Sequence, residues 1–533
     1  MIIDLLIWLL ISLICLIYGT MLVAIPHRQE TGQNLPLIFL CGLSIIGIIA
    51  WLLSLFFALG TGIRVLLFLP CLVYLLKQKN RAYLLKAIGS YFSQFSRSGI
   101  ALLTGSILLV LLITTHTIIH PDTLSYHCQS IMWMEKYPPV PGLANLQVQL
   151  GFQSIWFCMQ ALFNFWTSNP GHPFYINGCL MAWLSIFLVS KMTGPFRTGW
   201  ILLFLFCFVS WTQIRLTAAS ASPDFVAALF IWCAFYFFQK PNLSFLFGCM
   251  AIAIKYSTAP IALLLLFILY LLIRKREFKS VLLMFCLGLL IILPGVIRNY
   301  IASGYPFYPS LFFSLRQPDW SVNQSQLLHI QHYITVYARF GIDSASPESL
   351  LSIPIINWIP IWWSRQSWPD TIFYILFIAL FIGAMMSFKR FLSVIKVGYT
   401  LFFIALIGSL IWFFKAPDLR FGSSFLIPLS YFFLKPLGQD LNPKLKALSL
   451  SLNRLAWLLS LFVIWSYAAY RVCRFMEPKE IIIPSGISIH PWLKSHCGCS
   501  PPPCFADSTK SVEMRGKNIE DGFKRKGREN PGL

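Results

Sequence analysis

An all-α, polytopic membrane fold follows from three features of the chain. Hydrophobic residues make up 57% of its 533 residues and charged residues 11%, whereas a soluble domain carries about 25% charged residues; the mean hydropathy is +0.71. Apolar runs such as 1–24 and 281–293 are long and nearly unbroken. They lack the two-residue alternation of a membrane barrel, so the spans are helices. Lys and Arg fall in short clusters between those runs, so the formal charge of +22 reads as loop charge that sets topology. No nucleic-acid partner is expected.

In chain order, about 14 spans are expected, near residues 2–24, 36–58, 62–77, 99–118, 173–192, 198–216, 222–239, 242–257, 258–273, 280–297, 371–388, 398–414, 422–437 and 453–471. The first run has no basic n-region and no small-residue cleavage site, so it reads as a retained span. Four basic loops set the orientation: Lys77–Arg97, Arg274–Lys279, Lys389–Lys396 and Lys444–Arg454, all expected on the cytoplasmic side. Parity then places four segments outside: the loop that starts at His120, residues 298–370, the turn at Asp418 and the tail. Phe152–Trp166 and Ser352–Trp363, rich in aromatic residues, read as interfacial or re-entrant. The expected organisation is N-terminal transmembrane helices over 1–98, a transmembrane core over 99–471 with outer loops 119–172 and 298–370, and a Cys-containing outer tail over 472–533. Ten of the 14 Cys lie in or beside apolar runs or in the 120s loop and read mostly as small buried hydrophobes. The other four, Cys473, Cys497, Cys499 and Cys504, fall in the tail.

The polar residues that interrupt this pattern share one face. In the loop after the fourth span, Pro121 suits a first helical turn and Asp122 its positive end. A helix there puts Asp122, Tyr126, Gln129 and Trp133 on one stripe, by spacings of four, three and four, with His127 and Glu135 on a neighbouring face. An Asp beside Tyr and Gln near the lipid surface suits proton abstraction from a hydroxyl; a helix cap on an interfacial helix is the plainer reading. His120 and His127 lack a paired-ligand spacing, so hydrogen-bonding roles are expected of them and no metal site is assigned. Further on come Arg215, Ser220-Ala-Ser-Pro-Asp224, Lys255-Tyr-Ser257, Arg298-Asn299 and Ala416-Pro-Asp-Leu-Arg-Phe421. Asp224 suits a helix cap and Lys255 a snorkelling side chain, while Asp418 and Arg420 suit a surface pair. Their convergence is the stronger signal, because ionisable groups at membrane depth usually line a pathway or a site. Arg215, Lys255, Arg298 and Arg420 against an acidic loop suit a substrate with a phosphate and a second group to be deprotonated, as in a lipid-linked phosphosugar.

On these residues the layout resembles the C-type (GT-C) membrane glycosyltransferases, which use polyprenyl-phosphate-linked sugars and carry a catalytic acid in a long first outer loop. Three extra spans before the loop depart from that pattern. The chain also resembles an uncharacterised family of bacterial inner-membrane proteins through DTLSYHCQSIMWMEKYPPVPGLANL, SPD at 222–224, IKYS at 254–257, RNYIASGYPFYP and APDLRF. The resemblance implies an enzyme of the bacterial cytoplasmic membrane with its active site on the outer side. It would move a hexosyl or pentosyl unit, with inversion, to a cell-surface glycan, lipid or protein. Asp122 would be the base; Arg298, Lys255 and Arg420 would hold the donor phosphate. His127 and Glu135 would orient the acceptor or a divalent ion, which some relatives use and others do not; no cofactor is certain.

The tail resembles that second family as well. There Cys497–Cys504 is the expected bridge, since the intervening prolines could fold the segment back and disulfides persist outside. A zinc site of three Cys with His496 is the alternative. Three other functions stay open: a polysaccharide polymerase or ligase with a pyrophosphate-linked donor, for which Arg316 and Arg339 are the extra outer cations; a transporter or flippase of lipid-linked glycans; and a structural assembly subunit.

Overall fold

The computed structural model describes residues 2–23, 34–115, 120–164, 174–192, 197–209, 211–313, 317–341, 347–438, 462, 464–466 and 512–525. The helices follow the apolar runs: α1 (Ile2–Val23), α2 (Leu35–Leu53), α3 (Thr61–Leu76), α4 (Gln78–Phe92) and α5 (Arg97–Thr114) precede the loop. Within and after it come α6 (Cys128–Lys136), α7 (Leu143–Leu146), α8 (Ile155–Leu162), α9 (Tyr175–Lys191), α10 (Arg197–Val209) and α11 (Trp211–Ala218). The chain continues as α12 (Asp224–Tyr236), α13 (Pro241–Ile254), α14 (Ala262–Arg274), α15 (Phe278–Ser303), α16 (Gln324–Phe340), α17 (Pro347–Leu351) and α18 (Ile355–Ser364). The last helices with assigned bounds are α19 (Trp368–Met386), α20 (Phe388–Lys415) and α21 (Leu419–Leu434). A short antiparallel hairpin, β1 (Val512–Met514) and β2 (Phe523–Arg525), follows, with Val512 opposite Arg525 and Met514 opposite Phe523.

Seven of these helical segments are long and apolar enough to cross a membrane. α3 and α4, bent by 94° at Lys77, make an eighth if counted as one span. Four of the expected spans are shorter apolar helices: Tyr175–Lys191, Arg197–Phe208, Asp224–Tyr236 and Pro241–Ile254. Residues 453–456 and 467–471 of the last expected span lie outside the described residues, as do most of those between them. The chain is thus a multi-pass, largely α-helical membrane protein. Its outer belt fits that environment: Leu282, Leu283, Phe285, Leu289 and Leu293 of α15 all expose apolar surface that water would not tolerate as one patch.

Local chemistry sets several helix starts. Asn34 accepts the Leu37 N–H at the head of α2, and Ser96 accepts the Gly99 N–H at the head of α5. α1 and α2 cross in close contact because both supply glycine: a Cβ on Gly19 would fall 2.0 Å from the Ile38 carbonyl oxygen, and one on Gly42 1.7 Å from that of Cys15. Small residues permit such backbone approach in membranes. Both helices join the main hydrophobic core.

Helix direction gathers a distinct set of ends on one face. Ser54, after α2, meets Arg298 of α15; Asn177 of α9 meets Ser222 ahead of α12; Lys255, after α13, meets Asp224; and Arg420 of α21 meets Asp122. The basic residues Lys77, Arg274, Lys275, Lys389 and Arg390 sit at the opposite ends of α3, α14 and α20. The hairpin joins the first face. Phe523, 1% exposed, enters a small core with Trp133, Val140, Leu143 and Leu146, its N–H donates to the Pro141 carbonyl at 3.0 Å, and Arg515 pairs with Asp319 at 2.8 Å. Two glycines at positive φ make room: a Cβ on Gly142 would lie 2.0 Å from the Phe523 carbonyl oxygen, and one on Gly522 2.3 Å from that of Pro141.

Candidate functional site

The loop helix begins as expected, with Pro121 and Asp122 in its first turn. It does not run on as a regular α-helix. Residues Thr123–His127 form a π-helical turn in which the Cys128 N–H donates to the Thr123 carbonyl, five residues back. That extra residue breaks the expected stripe through Asp122, Tyr126, Gln129 and Trp133. Gln129 is buried, and Trp133 turns away to pack edge-on against Phe523 at 6.1 Å. Single π-turns recur at functional sites because they re-aim side chains within a helix. Here the turn leaves Asp122 with 40% of its side chain exposed while His127 is buried, its Nδ1 3.1 Å from the Thr123 hydroxyl.

Three other segments complete an ion-paired cluster around Asp122. The turn before α21 contributes Asp418, which caps that helix by accepting the Arg420 N–H at 2.9 Å and also accepts from the Arg420 Nε at 3.1 Å. From this anchored position Arg420 reaches Asp122 at 3.3 Å and Asp224 at 4.0 Å. Asp224 heads α12, its N–H donating to the Ser222 hydroxyl at 3.3 Å. The Ser222 carbonyl is in turn held by Asn177 at 2.9 Å, and Asn177 accepts from Trp156 and Gln160 at 2.8 Å each. Lys255 sits in extended backbone where α13 breaks and is ion-paired with Asp224. The Phe421 ring lies beneath both cations, 3.9 Å from the Lys255 ammonium and 5.1 Å from Arg420, a cation–π arrangement.

The electrostatics keep the loop acid ionised. Burial raises the Asp122 carboxyl, but the Arg420 guanidinium outweighs it and holds it below the ordinary Asp value. Burial is also the largest influence on His127 and takes it down to about 3. His120, 1% exposed and 5.5 Å from His127, is likewise lowered by burial despite Asp122. Neither His120 ring nitrogen has a hydrogen-bond partner among the described residues. Both rings are therefore neutral near pH 7, and His120 offers a donor and an acceptor beside the cluster.

Not every expected site residue joins. Glu135 is paired with Arg64 of α3 and accepts from Asn164 at 3.3 Å, locking the loop helix to the N-terminal helices. Arg298 donates to the Ser54 carbonyl at 2.6 Å and to Gln153 at 3.0 Å, where it ties α15 to α2 and the segment before α8. Arg339 donates to the Phe414 carbonyl at 2.8 Å and covers the Trp358 ring. Tyr126 packs edge-on to His127 at 4.4 Å, beside the cluster. The Arg215 side chain, Arg316, His496 and the Cys497–Cys504 pair lie outside the described residues. Cys128 is disulfide-bonded, while the other nine described cysteines are free. Sequence reasoning missed Arg64 and Asn177 and gave Phe421 no role of its own. Asn177 and Arg64, each polar inside an apolar run, were the available signals.

Among the described residues no group of three or more His, Cys, Asp or Glu stands close enough to hold a metal ion. Fold and site together define a multi-pass α-helical membrane protein with a partly water-accessible ionic cluster at one face. The chain belongs to the family of a domain of unknown function (DUF8201), whose model matches residues 1–427. No curated protein and no solved structure matches it.

Proposed function

We propose that this protein is a membrane glycosyltransferase that moves a sugar from a polyprenyl-phosphate-linked donor to a glycan, lipid or protein acceptor. Its site would lie at the outer face of the bacterial cytoplasmic membrane. One observation carries the reading: Asp122, the most accessible acid of the cluster, stands 3.3 Å from an arginine that comes 298 residues later in the chain. In the reaction, Asp122 takes the proton of an acceptor hydroxyl as that oxygen bonds to the anomeric carbon. The bond from that carbon to the phosphate oxygen breaks, and the polyprenyl phosphate leaves with the electron pair, inverting the centre. Lys255, with 27% of its side chain exposed, and Arg420 are the cations within reach of the leaving phosphate, which would compete with Asp224 and Asp418 for them. The C-type resemblance supports this assignment by architecture.

One feature favours a second reading. Asp122, Asp224 and Asp418 outnumber Lys255 and Arg420, and each cation is already paired. A proton-linked carrier of lipid-linked glycans also suits that balance, because protonating Asp122 would release Arg420. The two readings separate in cells lacking the gene. A transferase leaves its lipid-linked donor accumulating at the outer face, with one sugar absent from a surface glycan. A carrier leaves the donor accumulating at the inner face.

A further inference from the structure

A cavity of about 1470 Å³ lies among α2, α9, α10, α12, α19, α20 and α21, away from the ionic cluster. Pockets for small molecules run to about 300–1,000 Å³, so this one is sized for a long-chain ligand. Its walls are apolar and aromatic, with Trp183, Trp200, Trp232 and Phe373 among them. Among the described residues its lining contains no Asp or Glu, yet it contains Lys191 and Lys435. Lys191 ends α9 and Lys435 follows α21. Both helices begin at the cluster face, so both lysines stand at the opposite end. Each ammonium rests on a ring of the cavity wall: Lys191 is 5.6 Å from the Phe187 centroid and Lys435 is 5.3 Å from that of Tyr431. Among the described residues neither has a carboxylate partner, unlike Lys255 and Arg420.

We propose that this cavity is a binding site for an anionic phospholipid. Its acyl chains fill the aromatic pocket, and its phosphate pairs with Lys191 and Lys435. Basic pockets between transmembrane helices recognise anionic headgroups in this way, and a cation left unpaired at membrane depth is costly. The site faces the leaflet opposite the ionic cluster, so its lipid is distinct from a sugar donor bound there, and the proposal stands apart from the transferase reading.

The test uses full-length protein in nanodiscs of equal phosphatidylglycerol and phosphatidylcholine, released into detergent and weighed intact by mass spectrometry. Wild type is expected to retain phosphatidylglycerol about tenfold over phosphatidylcholine. The Lys191→Gln/Lys435→Gln variant should lose that preference while still retaining a phospholipid, and Lys191→Arg/Lys435→Arg should keep it. Filling the pocket with Leu203→Trp should reduce retention of both lipids. Equal retention by wild type, an unchanged preference in the Gln variant, or an isoprenoid phosphate bound in place of phospholipid would each overturn the proposal. Should the Gln variant not fold, the Arg and Trp variants still decide.

Discussion

Arg420 is the residue on which the cluster depends, because one guanidinium contacts three carboxylates from three segments. Removing one partner of a buried pair leaves charges uncompensated, at about 3–5 kcal/mol. Arg420→Met should therefore lower the apparent melting temperature in detergent far more than Lys415→Met, which removes a neighbouring exposed charge. His127 gives a pH prediction. Its folded-state value lies near 3 against an ordinary value of about 6.5. The unfolded chain therefore binds a proton below about pH 6.5 that the folded chain refuses, and stability falls as pH drops through that window, by up to about 1.4 kcal/mol per pH unit. His120 adds in the same direction. Melting followed from pH 7 to pH 4.5 should show the slope, and His127→Phe should flatten it. The motif around Asp418 and Arg420 was readable in the sequence because outer basic residues run against the topology rule. Arg298 was not, since an arginine at the end of a span looks the same whether it faces a phosphate or the Ser54 carbonyl 244 residues away.

At the scale of elements, the loop that carries Asp122 is held from two sides. Glu135 and Arg64 clamp it to α3, and the C-terminal hairpin clamps it through Phe523. Phe523→Ala should cost about 3 kcal/mol of local stability, seen as faster amide exchange over residues 137–146 with little change in α12 or α13. Long apolar runs marked the helices, and Pro121 the start of the loop helix. The π-turn was not legible, because nothing in TLSYH distinguishes an i→i−5 turn from an i→i−4 turn before tertiary contacts choose. The hairpin escaped notice for a related reason: three-residue strands carry no periodic signal, and their stability comes from docking.

At the scale of the whole molecule, the ionic cluster and the loop basic residues lie at opposite helix ends. With the basic ends inside, a single cysteine placed at Asp319 should react with a membrane-impermeant maleimide in intact cells, and one at Lys275 only after the membrane is opened. Reaction at both positions in intact cells would break that topology. The number of spans was less legible than their existence. The short helices α12 and α13 are apolar enough to be buried yet shorter than a bilayer crossing, and only packing decides how they sit. The central claim is that the outer-face cluster performs transfer with Asp122 as its base. The most direct measurement rescues cells lacking the gene with wild type or Asp122→Asn at equal membrane levels, followed by mass spectrometry of surface glycans and lipid-linked sugars. The expected result is no rescue by the Asn variant, one sugar missing from a glycan and its lipid-linked donor accumulated. Full rescue by Asp122→Asn would contradict it and leave Asp122 a helix-capping residue.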